Sequence, residues 1–244
     1  MSDEPILRVV NLTKKFSNLV AVNNVSFQIG KSEIVGLIGP NGAGKTTLFN
    51  LITGLEQSDS GQIFFKGANI THLPPYQICR LGMSRTFQVA QTFTSMTVAD
   101  SVRVGAYNNC DEKNVIPKVN EILELCHLDA IRGKKCGDLS LVQLRRVELA
   151  RAIATGAEML LLDEAGAGLT ATELAELMAL LSRLNLSTGI TLCVVEHVMQ
   201  MVMGLCRHII VLDSGLLIAE GNPDEVRGNP DVIEAYLGVR ELEE

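Results

Sequence analysis

Strands alternating with helices in the last third of the chain, β-branched runs crowding residues 1–65 and a helical texture between them predict an α/β protein. Its core is expected to be a mostly parallel sheet covered on both faces, with an N-terminal antiparallel β portion and a helical subdomain. A length of 244 residues fits one domain. Residues 1–87 and 140–244 are read as the core with its β portion, and residues 88–139 as the helical subdomain.

In chain order, Leu7 to Val10, Val25 to Ile29, Glu33 to Ile38 and Ile63 to Phe65 read as strands bounded by Gly30-Lys31 and Ser58-Asp59-Ser60-Gly61. Lys45 to Thr53 reads as a helix that Gly54 ends. Between Gln88 and Leu139, Val119, Ile122, Leu123 and Cys126 share one helical face, and the polar run Asn108 to Asn114 is expected to be a surface loop. A helix over Leu141 to Ala154, a strand over Met159 to Leu162, a helix over Glu173 to Leu184 and a strand over Ile190 to Val195 follow. The chain closes with strands at His208 to Leu212 and Leu216 to Ala219, turned by Asp213-Ser214-Gly215, and a helix near Val232 to Leu237.

Composition narrows the function classes. Apolar residues make up 47% and charged residues 20%, which excludes a largely disordered chain. A net charge of −7 argues against a protein that neutralises nucleic-acid phosphates. No apolar stretch approaches the roughly 20 residues of a spanning helix. The acidic start Met1-Ser2-Asp3-Glu4 is unlike a signal peptide, so a soluble, unexported chain is expected. Six scattered cysteines without CxxC spacing read as reduced thiols. A mean hydropathy of +0.23 suggests apolar surface covered by a partner.

The most specific signal is Gly39-Pro40-Asn41-Gly42-Ala43-Gly44-Lys45-Thr46, a GxxxxGK[ST] phosphate loop between an apolar strand and a helix. Four fixed positions recur by chance in roughly one chain in a hundred of this length, and the strand–helix context lowers that further. Glycines let the backbone wrap a phosphate so that amide N–H groups and the helix N-terminus face the anion. Lys45 would reach the β- and γ-phosphates, and the Thr46 hydroxyl would hold Mg²⁺, with Thr47 beside them in the phosphate-binding set. Downstream, Met159 to Leu162 delivers Asp163 and Glu164 to the C-terminal end of a buried strand, where open α/β sheets bind ligands. Asp163 would orient Mg²⁺ through water, and Glu164 could act as general base on the attacking water. These features specify a P-loop NTPase core.

With this loop, the Asp163-Glu164 pair and a helix led by Ser140 in this order, the sequence resembles the ATP-binding subunits of ABC transporters over nearly its whole length. It is similar above all to the ATPases of branched-chain amino acid importers, on Phe16 to Val25, Gly36 to Gly54, Arg85-Thr86-Phe87-Gln88, Glu196-His197 and the ending Val232 to Gly238. The resemblance implies that Gln88 contacts Mg²⁺ or the attacking water, that His197 contacts the γ-phosphate and that Phe16 stacks on adenine. It further implies a second ATPase subunit, integral membrane permease subunits and a place on the cytoplasmic face of the membrane, with no nucleic-acid partner.

Two segments depart from the family pattern. The family's LSGGQ-type signature, whose serine and second glycine meet the γ-phosphate held by the opposite subunit, reads here Leu139-Ser140-Leu141-Val142-Gln143. Val142 puts a β-branched carbon where the backbone should approach phosphate. Ser140 also has a local role, because Ser140 with Gln143 forms a capping box and Leu139 with Leu144 a hydrophobic staple. After Glu164, the run Ala165 to Thr170 lacks the usual proline and acidic or amide residue, while Thr170 and Glu173 offer a second capping box. The leading expectation is an importer ATPase. An alternative is a nucleotide-occupancy module weakened in hydrolysis by its signature. A repair or translation ATPase lacks room for its insertions, and no NKxD-type motif supports guanine specificity.

Overall fold

The structure is a computed structural model that describes residues 4–87 and 93–237. The chain runs β1 (Leu7–Phe16), β2 (Leu19–Ile29), β3 (Ile34–Ile38), α1 (Lys45–Ile52), β4 (Ser60–Phe65), β5 (Ala68–Asn69), α2 (Pro75–Leu81) and β6 (Met83–Arg85). It continues through α3 (Val98–Ala106), α4 (Glu112–Leu125), two 3₁₀ turns, α5 (Leu141–Ala154), β7 (Met159–Asp163), α6 (Ala171–Thr188), β8 (Thr191–Val195) and α7 (Met199–Leu205). It ends with β9 (His208–Asp213), β10 (Leu216–Gly221), α8 (Pro223–Arg227) and α9 (Pro230–Leu237).

Six strands form one sheet in the order β10-β9-β3-β8-β7-β6. All its pairs are parallel except β10 with β9. An antiparallel sheet, β2-β1-β4-β5, lies beside it. Successive strand residues point to opposite faces, and both faces of the parallel sheet are buried. Leu160 and Leu162 of β7, Leu192 and Val194 of β8, and Ile209 and Val211 of β9 join the core under α3 to α7. Their alternates Met159, Leu161, Cys193, Val195, Ile210 and Leu212 join the core shared with α1 and the antiparallel sheet. This two-sided burial explains the continuous apolar runs in the sequence.

Local chemistry sets the helix ends. Ser140 accepts from Gln143 N–H while the Gln143 side chain accepts from Ser140 N–H, so α5 starts where its capping box predicts. Leu139 and Leu144 are both partly buried against the same core. The Thr170–Glu173 box likewise begins α6 at Ala171, and Gly189 with a φ of 72° ends it, making it longer than the Glu173 to Leu184 expected. Two hydrogen bonds from Thr170 hold the Glu173 carboxyl below its ordinary range.

The polar run Asn108 to Asn114 is not wholly a loop. Asp111 is the N-cap of α4, and residues from Glu112 onward are helical. Val115, Val119, Ile122 and Leu123 are buried by packing on the neighbouring helices, and that tertiary burial extends the helix into a stretch whose own composition suggests a connector. Strands β1 and β2 are also longer than expected, because they zip together from Leu7–Ile29 to Phe16–Leu19 through register shifts that carry them across polar positions.

Helix α3 crosses α5 at close range: a Cβ on Gly105 would lie 2.2 Å from the Arg151 carbonyl oxygen, whereas one on Gly133 would meet nothing within 4 Å. Gly105→Ala is therefore expected to force the helices apart and cost about 1–3 kcal/mol. Gly133→Ala should stay within about 0.5 kcal/mol of the parent. Urea denaturation midpoints at constant m-value check the contrast.

Candidate nucleotide site

The parallel register brings the site together. Leu37 pairs with Val195 and Val195 with Asp163, so β3, β8 and β7 end side by side. Beyond those ends lie the phosphate loop, Glu196-His197 and Glu164. They sit in the crevice at the carboxyl ends of the strands.

The phosphate loop is held in shape from behind. Gly39, Gly42 and Gly44 have φ of 151°, 82° and 98°, which glycine alone adopts at little cost. A Cβ on Gly39 would come within 2.0 Å of the Leu212 carbonyl oxygen, and one on Gly44 within 2.2 Å of that of Ala21. The loop thus rests on β9 and β2, and the Ala43 carbonyl accepts from Gly215 N–H at 3.1 Å. The Tyr236 hydroxyl of α9 accepts a hydrogen bond from Gly39 N–H, and burial pushes Tyr236 above its ordinary pKa. Helix α1 begins at Lys45 with no side chain capping its N-terminus, so the N–H groups of its first turn remain available to an anion.

Lys45 is buried, and its ammonium donates to the Gly39 and Pro40 carbonyls at 2.7 and 2.9 Å. Burial lowers its pKa, opposed by the negative charge of Glu164 and Asp163. A cleft of about 450 Å³ opens above it, lined by Phe16, Leu19, Asn41 through Thr47, Glu164, His197 and Ser214. Phe16 is exposed at the mouth, with Lys14 Nζ 5.1 Å from its ring centre. Gly39 and Pro40 are not among the cleft's lining residues; they hold the Lys45 ammonium through their carbonyls. Ser140 does not line this cleft and is engaged in its cap. Gln88 lies outside the described residues.

Asp163 and Glu164 follow each other yet differ in environment. Asp163 is buried and ion-paired to Arg85 at 2.6 Å, and the same guanidinium donates to Asn50 Oδ1 at 2.6 Å. Arg85, at the end of β6, is packed between the rings of Phe49 and Phe87 at 5.5 and 5.3 Å. In the sequence Arg85 stood out only as part of a family resemblance. Its partnership with Asp163 depends on β6 pairing with β7 across a long sequence separation. Glu164 has a φ of 49°, a left-handed conformation that costs a non-glycine residue of order 1 kcal/mol. That turn aims its carboxylate away from the strand and into the cleft, where His197 Nε2 lies 2.9 Å from Glu164 Oε1. Its N–H donates to the Val195 carbonyl at 2.9 Å, which holds the turn against β8.

The donor set suits a phosphorylated ligand and a hard cation. The loop offers backbone amides and a buried ammonium to phosphate. The exposed Thr46 hydroxyl and the Asp163 carboxylate are oxygen ligands of the kind magnesium prefers.

Comparison with known proteins agrees with this geometry. The ABC transporter family profile matches residues 22–167. A second profile, described as branched-chain amino acid ATP-binding cassette transporter, matches residues 217–241. The high-affinity branched-chain amino acid transport ATP-binding protein BraF of Pseudomonas aeruginosa is 37% identical over 96% of this chain and 98% of its own length. The probable branched-chain amino acid transport ATP-binding protein LivG of Archaeoglobus fulgidus is 35% identical over 98% and 97%. Among solved structures, the ADP conformation of an ATP-binding cassette of an ABC transporter superposes with a TM-score of 0.87 at 31% identity, covering 97% of this chain and 100% of that one. A nucleotide-free cassette gives the same TM-score, identity and coverage. Among the described residues no helix is long and apolar enough to cross a membrane. With its phosphate loop, strand-end carboxylates and both matching profiles, the chain belongs to the ABC transporter family, as an ATP-binding cassette of the branched-chain amino acid type.

Proposed function

We propose that this chain binds and hydrolyses ATP to drive a membrane importer, with branched-chain amino acids the class of solute carried. The observation that carries the reading is the single cleft in which Lys45, Thr46, Glu164 and His197 face one another above the glycine loop. Relatives of full length are named as transport ATP-binding proteins, which supports an engine over an occupancy sensor. The partners are a second ATPase subunit and integral membrane subunits, and the chain works at the cytoplasmic face of the membrane. It acts as one ATPase domain of residues 1–244, with residues 88–139 as its helical subdomain.

In this mechanism the N–H groups of residues 42–46 and the Lys45 ammonium bind the β- and γ-phosphates, and Phe16 offers its exposed ring to the adenine. Thr46, Asp163 and Gln88 would hold magnesium, which when bound supplies charge neutralisation at the β- and γ-oxygens. Arg85 holds the Asp163 carboxylate in place through their ion pair. Glu164 accepts a proton from water as the water oxygen bonds to the γ-phosphorus and the bond from phosphorus to the β–γ bridging oxygen breaks, leaving ADP and phosphate. His197 gives up its contact with Glu164 to hold the γ-phosphate in line.

One groove supports docking of the membrane subunit. A groove of about 360 Å³ between the sheet edge and α3 and α5 is lined mainly by apolar surface, with Phe93 and Val104 exposed. Its lining includes Phe87 and Arg85, the residue paired with Asp163.

The deciding experiment is magnesium-dependent ATP hydrolysis by the purified subunit, alone and with its partner ATPase and membrane subunits. Strong stimulation in the complex is the expected result, and ATP binding without hydrolysis in both preparations would overturn the reading. Glu164→Gln should retain ATP binding and slow hydrolysis by about 10²- to 10⁴-fold, while Lys45→Ala should abolish binding itself. Equilibrium binding of a fluorescent ATP analogue and phosphate release measure the two effects.

Val142 bears on the site completed in trans. It stands half-buried in the first turn of α5, behind a Ser140 already committed to its cap. Val142→Gly is expected to raise the ATPase rate of the complex several-fold, up to about tenfold if one charge-assisted hydrogen bond is regained. An unchanged rate would show that Val142 does not weaken the ATP site that this signature completes.

A further inference from the structure

Next to His197 lies a carboxylate that the hydrolysis mechanism does not use. Glu196 is 1% exposed, and its Oε1 accepts from Gly166 N–H at 2.6 Å. The backbone N–H groups of His197 and Val198 also donate to it. Burying an ionisable group this deeply is costly unless donors compensate it. Burial and the nearby Glu164 charge push the pKa of Glu196 up, and the three N–H groups pull it down. Those donors come from two separate loops: residues 164–170 between β7 and α6, and residues 196–198 between β8 and α7.

The approach of the two loops is close by construction. A Cβ on Gly166 would fall 2.9 Å from Leu174 Cδ1, 3.2 Å from Glu196 Oε1 and 3.2 Å from Met201 Sδ. A side chain at this position would have to displace the ends of Leu174, Glu196 and Met201 for the loop to keep its reach to this carboxylate. Three links then join the loops: Glu164 N–H to the Val195 carbonyl, the Glu164–His197 pair and the Glu196–Gly166 bond. The second must open when His197 turns to a nucleotide. The first is a strand-end backbone bond that does not sense the ligand. The Glu196 link survives that opening and joins the backbone of His197 to the loop that leads into α6.

We propose that Glu196 is a positioning residue that locks the His197 turn to the loop after Glu164, so that contact with the γ-phosphate and placement of residues 165–170 are one event. The proposal rests on the ATPase reading above and extends it to a buried residue that does not line the nucleotide cleft. It assigns Gly166 the role of receptor for that carboxylate. The loop that lacks the family's usual proline and acidic residue is thereby held from inside the subunit.

The test is a double-mutant cycle in the assembled transporter complex, reading steady-state ATP hydrolysis. Glu196→Ala is expected to lower kcat by about tenfold with KM for ATP within about twofold, because the pocket that binds phosphate is untouched. In a His197→Ala background the same substitution should add less than about twofold, since Glu196 acts through His197. Should Glu196→Ala fail to fold, the cycle is run with Glu196→Gln, which keeps one acceptor oxygen; its expected kcat loss of about threefold must likewise vanish in the His197→Ala background. Losses that multiply independently, a parallel rise in KM, or unchanged kcat with active parent complex would overturn the proposal alone. A parent complex that hydrolyses no ATP would overturn the ATPase reading and this proposal with it.

Discussion

Everything at the site depends on one rank of backbone hydrogen bonds, the parallel pairing of β3 with β8 and of β8 with β7. Because Leu37, Val195 and Asp163 lie opposite one another, three loops leave the sheet at the same height. One carries the glycines and Lys45, one carries Glu164, and one carries His197. A slip of one residue in any pairing would reverse the faces of that strand and carry its loop away from the others. The register is secured by burial on both faces, where Leu160, Leu162, Leu192 and Val194 pack one way and Leu161, Cys193 and Val195 the other. The apolar runs of the chain are thus what aim its polar chemistry.

The polar groups are held by a different device, which is compensation of buried charge. Lys45 is tied to two carbonyls of its own loop, Asp163 is paired with Arg85, and Arg85 is steadied by Asn50. Removing one member of such a set leaves an uncompensated charge, which costs more than the pair contributes. These groups therefore stay ordered before any ligand arrives. Glu164 and His197 are the more exposed pair, and in the proposed mechanism their mutual contact is the one that a bound nucleotide breaks. Order in the cradle beside a breakable contact at the reacting end is what a site needs if it is to bind first and then respond.

Much of this was legible in the chain. The phosphate loop, the strand-end Asp163 and Glu164, and both helix starts at Ser140 and Thr170 follow from spacing and side-chain chemistry that act over four to eight residues. Helix α5 begins and ends where the sequence places it, because its capping box is local. The start of α4 at Glu112 was not legible, since a polar stretch became helical only through burial of residues further along the same helix. Arg85 was missed as the partner of Asp163 for a similar reason. The three residues of β6 make a strand only by pairing with β7, and nothing within that segment announces an edge strand. Gln88, read as a metal contact, lies outside the described residues.

The amino-acid sequence by itself determined the class of fold, the nucleotide chemistry and the capping residues that start α5 and α6. Each of these is decided by periodicity or by contacts between near neighbours. Only the tertiary structure decided that Arg85 holds Asp163, that Glu164 meets His197 through a left-handed turn, and that the Glu196 carboxylate binds the backbone of a loop thirty residues away. Such contacts carry no local signature, because an arginine, a glutamate or a glycine is chemically suited to many partners. Which partner each one meets is set by the register of the sheet, and that register is fixed by the packing of the whole core.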